Sequence, residues 1–119
     1  MITPVISVAL GGALGAVARY LVGLAVAFPL GTLTVNVLGS LAIGIVWAMF
    51  TERGLHGWLP LVLTGFLGGF TTFSAFSLDT MRLVEGGRLG AAGGYVIASV
   101  MLSLVACAFG LWLAKGMTT

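Results

Sequence analysis

The chain has 119 residues, of which 60% are hydrophobic and only 7% charged, with a mean hydropathy of +1.20. A soluble domain carries about 25% charged residues, so this sequence cannot cover itself with a water-facing surface and reads as an integral membrane protein. Its formal charge of +2 comes from five Lys and Arg against three acids, with no cluster, which leaves nucleic-acid binding without support.

Each helical span needs roughly 20 largely apolar residues, so four spans with short turns use the chain as one all-α transmembrane domain. The first span is predicted over residues 5–28. It contains Arg19 and lacks a basic flank, which separates it from a cleaved signal peptide. Gly11 with Gly15, and Gly12 with Ala16, form small-residue pairs that let helices approach closely in lipid. Arg19 is the one cation well inside a span, where a centred arginine costs about 2.5–3.5 kcal/mol on the insertion scale. It either snorkels to the near interface or raises the local anion concentration at a pore mouth.

The turn Pro29-Leu30-Gly31 leads to a second span over residues 32–50. Thr32, Asn36, Ser40 and Gly44 follow one another at intervals of four, so they share a face. Taken singly, a serine such as Ser40 reads as an interhelical hydrogen bond worth about 0.6 kcal/mol. Asn36 differs: it brings two donors to mid-span, with no other strongly polar group beside it, and this favours a functional role.

His56 falls in the loop between the second and third spans and reads as a solvated surface histidine. Pro60 suits the first turn of the third span, predicted over residues 60–84. Residues 65–77 within it read GFLGGFTTFSAFS. Glycine costs about 1 kcal/mol per helix position relative to alanine, and this composition predicts a helix break. Freed backbone groups find no partner in hydrocarbon, so such a break must line a cavity or be buried in protein. Transporters hold ions at breaks of this kind. Phe73 and Phe76 lie three apart and present neighbouring rings, whose electropositive edges could face an anion; on the pattern alone, the pair reads as packing. Asp79, near the end of this span, can pair with Arg82 at i, i+3. The other three spans contain no carboxylate, which argues against proton-coupled or cation-exchanging transport and for an anion or a neutral solute.

Gly86-Gly87-Arg88 is the next turn, and the fourth span is predicted over residues 89–114 with Lys115 as its polar stop. Tyr95, Ser99 and Ser103 form a second polar track at intervals of four. Cys107 reads as a small buried hydrophobe. No nucleophile with its base, phosphate loop or metal-ligand cluster is present in the sequence, so the chain is not expected to be an enzyme. An even number of spans puts both termini on one side with Arg53 and Lys115, and Arg82 and Arg88 on the other. With two against two, the positive-inside rule has no preference. The balance predicts insertion in both orientations, the alternative being that the terminal amine or lipid fixes one.

Three segments together resemble the Fluc (CrcB) family of fluoride channels: residues 11–20 (GGALGAVARY), 31–39 (GTLTVNVLG) and 65–77 (GFLGGFTTFSAFS). The resemblance covers essentially the whole chain. It implies an antiparallel, dual-topology homodimer in the lipid bilayer of a prokaryotic cell membrane, exporting cytoplasmic fluoride by passive electrodiffusion along two pathways. It gives Asn36 the role of donor to fluoride and lets the ring edges of Phe73 and Phe76 line the path. Thr32 then matches a pore threonine, Tyr95, Ser99 and Ser103 match the hydroxyl track, and Arg19 matches an arginine near the vestibule. The backbone carbonyls of Gly68 and Thr71, from both subunits, match the positions that hold a structural, untransported sodium ion, and residues 68–71 are then the unwound part of the break. Ala75 departs from the pattern, since many relatives have threonine there. A small multidrug exporter is the runner-up reading, but that class is expected to carry a glutamate in mid first helix, where this chain has Arg19. A structural membrane subunit without transport is a third, made less attractive by two polar tracks and a break.

Overall fold

The computed structural model describes residues 2–118, which are mostly helical with no strand among them. Helix α1 spans Ile2–Ala25 and α2 spans Leu30–Glu52. A 3₁₀ turn at His56–Trp58 leads to a π-helix at Pro60–Leu67, which continues as α3, Gly68–Phe70. Helices α4, Phe73–Glu85, and α5, Leu89–Thr118, complete the fold. Four segments are long and apolar enough to cross a membrane: Thr3–Ala25, Leu30–Glu52, His56–Glu85 and Leu89–Gly116. The outward faces are correspondingly apolar, with Leu24 and Trp112 each 68% exposed, as expected of a surface that meets lipid.

Helix α1 stops at Ala25, three residues before the expected end. Pro29 disfavours helical backbone at the residue before it, and residues 26–29 form the turn, with a cis peptide at Phe28–Pro29. Gly54 and Gly87 carry positive φ, 69° and 76°, a conformation that glycine adopts at no steric cost, and they close the ends of α2 and α4.

Lipid offers no hydrophobic drive for helices to associate, so close packing at small residues must hold the bundle. The α1 glycines meet the third span backbone to backbone. A β-carbon at Gly15 would overlap the Phe66 carbonyl, and one at Gly69 would lie 2.6 Å from the Gly12 carbonyl oxygen. Helices α2 and α5 meet in the same way, Gly44 against the Cys107 carbonyl and Gly110 against the Leu41 carbonyl. Helix α4 packs on α5 through a cluster of Phe76, Leu83, Ala92 and Tyr95.

The backbone of Thr71 (φ −88°, ψ 157°) and Thr72 (φ −155°, ψ 120°) is extended and separates α3 from α4. Gly68, expected to be unwound, is instead helical (φ −63°, ψ −37°). Glycine permits departure from a helix without requiring it. The threonines fix the position: the Thr71 hydroxyl donates to the Leu67 carbonyl (2.9 Å), and the Thr72 hydroxyl accepts from the Ala75 N–H (3.1 Å). The second of these is an N-cap, one of the strongest local signals for starting a helix.

Candidate functional site

Asn36 lies one helical turn before Gly39 on α2. At Gly39 a β-carbon would overlap the Thr71 methyl group, so the glycine lets the extended threonines come against α2. Asn36 then reads the Thr72 backbone at two points. Its Nδ2 donates to the Thr72 carbonyl (3.0 Å), and its Oδ1 accepts from the Thr72 N–H (2.8 Å). A flipped amide would set donor against donor, so this pair fixes the amide orientation. The second Nδ2 hydrogen remains for another partner.

That hydrogen belongs to a residue on the wall of an open groove of about 320 Å³. The groove gathers five of the residues expected to form a pathway: Asn36, Phe73, Phe76, Ser99 and Ser103, together with Ser40. The rings of Phe73 and Phe76 are 5.3 Å apart at 52° to one another. Phe76 is buried, whereas Phe73 is 77% exposed, so the groove has an apolar lip facing away from the helix bundle. The Ser99 hydroxyl is buried and makes no hydrogen bond within the chain. An unsatisfied buried hydroxyl is costly, and this one lies on the same groove wall as Asn36.

Arg19 and Thr32 lie elsewhere. They line a second cavity of about 340 Å³ with Tyr20, Gly23, Gly31 and Ala75. Arg19 does not reach for the interface with its whole head group, because its Nε donates to the Gly69 carbonyl (3.1 Å) and ties α1 to α3.

Asp79 is the residue that the sequence reading undervalued. It is buried at 8% exposure, and its Oδ2 accepts from the Thr32 hydroxyl (2.7 Å) and the Tyr95 hydroxyl (3.4 Å). Two of the hydroxyls expected along the path therefore converge on one carboxylate that joins α2, α4 and α5. The Tyr95 ring also stacks at a tilt on Phe76, with centroids 5.5 Å apart, which sets this cluster beside the groove. A usable signal was present: Asp79 follows Phe76 by three and precedes Leu83 by four, so it shares their buried helix face. The expected Asp79–Arg82 pair is present, with Oδ1 3.8 Å from Nη1.

Thr71 lines the groove, while the Gly68 carbonyl has lost its ordinary partner. In an uninterrupted helix it would accept from the Thr72 N–H, which here goes to Asn36. No group of three His, Cys, Asp or Glu side chains suited to a metal occurs among the described residues, so a cation would have to rely on oxygens such as these carbonyls.

A small four-span membrane protein with an open, phenylalanine-lipped groove that carries Asn36 and three serines beside interrupted helix belongs to the class of membrane channels and transporters in its design. Comparison with known sequences sharpens this. Residues 6–111 match the family described as CrcB-like protein, Camphor Resistance (CrcB), and the chain belongs to that family. It is 53% identical over 117 residues, 94% of each chain, to the fluoride-specific ion channel FluC of Paracoccus denitrificans (strain Pd 1222). It is 46% identical over the full length of both chains to the protein of the same name from Ruegeria sp. (strain TM1040). This placement sets aside the small multidrug exporter.

Proposed function

We propose that the chain is one protomer of a fluoride-selective channel in a bacterial cell membrane, through which cytoplasmic fluoride leaves by passive electrodiffusion. The observation that carries this reading is the groove wall on which Asn36 keeps a free amide hydrogen and Ser99 a hydroxyl with no partner in the chain. Fluoride is small and tightly hydrated, so a path must replace its water with donors while excluding bulk solvent. Asn36, rigidly held by Thr72, offers a donor at fixed position without reorganisation. Ser99 and Ser103 continue the donors one helical turn apart on α5, and the Phe76 and Phe73 ring edges supply weak positive potential on the apolar side.

One protomer leaves this groove open, with Phe73 projecting from it. A second copy inserted in the opposite orientation would roof it, giving the antiparallel homodimer that the balanced charges favour. A structural sodium ion fits the same arrangement: the Gly68 and Thr71 carbonyls of two copies would supply hard oxygen ligands, and the ion would neutralise backbone dipoles that the interruption leaves without partners. Arg19 and the Thr32–Asp79–Tyr95 cluster then belong to the approaches of the pathway.

The test is anion efflux from liposomes holding the purified protein. Rapid fluoride release under an imposed membrane potential, with little chloride release, is the expected result. Release no faster than from empty liposomes would rule the channel out.

A further inference from the structure

A third cavity, of about 170 Å³, lies under the turn that joins α1 to α2, with Phe28, Pro29, Thr32 and Asp79 in its wall. It shares Gly23, Gly31 and Thr32 with the Arg19 cavity, so the two adjoin at one corner of the bundle. An anion approaching here meets the carboxylate of Asp79. The Thr32 and Tyr95 hydroxyls orient that carboxylate through Oδ2, but two neutral donors do not cancel its charge.

Arg82 does. Its Nη1 lies 3.8 Å from Asp79 Oδ1, and its guanidinium carbon lies 4.1 Å from the centroid of the Phe28 ring on the cavity wall. A planar guanidinium over an aromatic face is held by cation–π attraction and stacking, so the charge is kept in place although the Arg82 side chain is 55% exposed. The ion pair is too long for a hydrogen bond and half-exposed, and such pairs contribute little to stability. Its larger consequence is for the local electrostatics.

We propose that Arg82 admits the anion at this corner: pinned on Phe28, it neutralises Asp79 and removes the repulsion that would otherwise guard the hydroxyls of Thr32 and Tyr95. This rests on the fluoride-channel reading above, and the ligand recognised is a small anion.

The experiment is fluoride efflux from proteoliposomes at low and high ionic strength, on either side of the condition where the Debye length is about 10 Å. Arg82→Gln is expected to slow efflux several-fold at low ionic strength, with the deficit shrinking at high ionic strength as the bare Asp79 charge is screened. Arg82→Lys, which keeps the charge but loses the planar stacking on Phe28, is expected to show a smaller deficit with the same salt dependence. An Arg82→Gln rate equal to wild type at low ionic strength, or a deficit that salt does not change, overturns the proposal. Should Arg82→Gln not fold, Phe28→Leu serves instead, because it unpins the guanidinium while keeping its charge. A smaller deficit with the same salt dependence supports the role of Arg82, and a salt-independent one overturns it. Absence of efflux from the wild type would overturn the fluoride reading itself, whereas wild-type efflux with an indifferent Arg82→Gln removes only the role of Arg82.

Discussion

Asn36 gives one of its two amide hydrogens to the Thr72 carbonyl and keeps the other. That division ties the α2 amide to the start of α4, so its position and its chemistry cannot be changed separately. Asn36→Asp leaves an acceptor facing the Thr72 carbonyl and adds negative charge to the groove, and fluoride efflux is expected to fall at least about tenfold, or ~1.4 kcal/mol in the barrier. Ser99 provides the contrast. Its hydroxyl has no partner in the chain, so Ser99→Ala removes no hydrogen bond from the fold. Its melting temperature is expected to hold while efflux falls about fivefold, the worth of one hydrogen bond of ~1 kcal/mol to the passing ion. Lower melting with unchanged efflux would make Ser99 a packing residue. Asn36 stood out in the sequence because an amide in mid-span is rarely idle. Its tie to Thr72 was not legible, since contacts between residues 36 positions apart depend on how helices cross. Asp79 was read only as an Arg82 partner; its spacing from Phe76 and Leu83 marked a shared face, but its bonds to Thr32 and Tyr95 depend on how α2 and α5 pack, which local spacing does not place.

At the scale of elements, hydropathy was enough to find the four spans, because apolar length is what a bilayer demands. Helix ends were less legible. Pro29 ended α1 early, and the extended residues are Thr71 and Thr72, three and four positions beyond Gly68. Small-residue pairs announced close packing without naming the partner. The structure places Gly11 and Gly15 against the third span and Gly44 and Gly110 between α2 and α5. Gly15→Val is accordingly expected to destabilise the fold by about 1–3 kcal/mol or more, since the new side chain meets backbone that cannot yield. Gly23→Ala, with nothing within 4 Å of the new carbon, is expected to raise stability slightly, by up to about 1 kcal/mol. Thermal melting in detergent compares the two. Equal melting would show that the α1 contact does not hold the bundle.

At the scale of the whole molecule, the groove of the single chain is open and its lip residue Phe73 is exposed. The charge balance that predicts dual insertion was readable from four basic residues alone. A C-terminal tag is expected to be accessible to an impermeant probe from both sides of the membrane, and labelling from one side only would contradict antiparallel assembly. The groove itself was not readable, because residues from α2, α4 and α5 meet in it only once the helices have packed. The central claim is that this groove passes fluoride, and passes it downhill. The most direct measurement is current through a planar bilayer holding the purified protein between solutions with opposed fluoride and chloride gradients. A reversal potential that follows the fluoride gradient and ignores chloride is the predicted result; a reversal potential set by chloride, or no current above the bare bilayer, would contradict it.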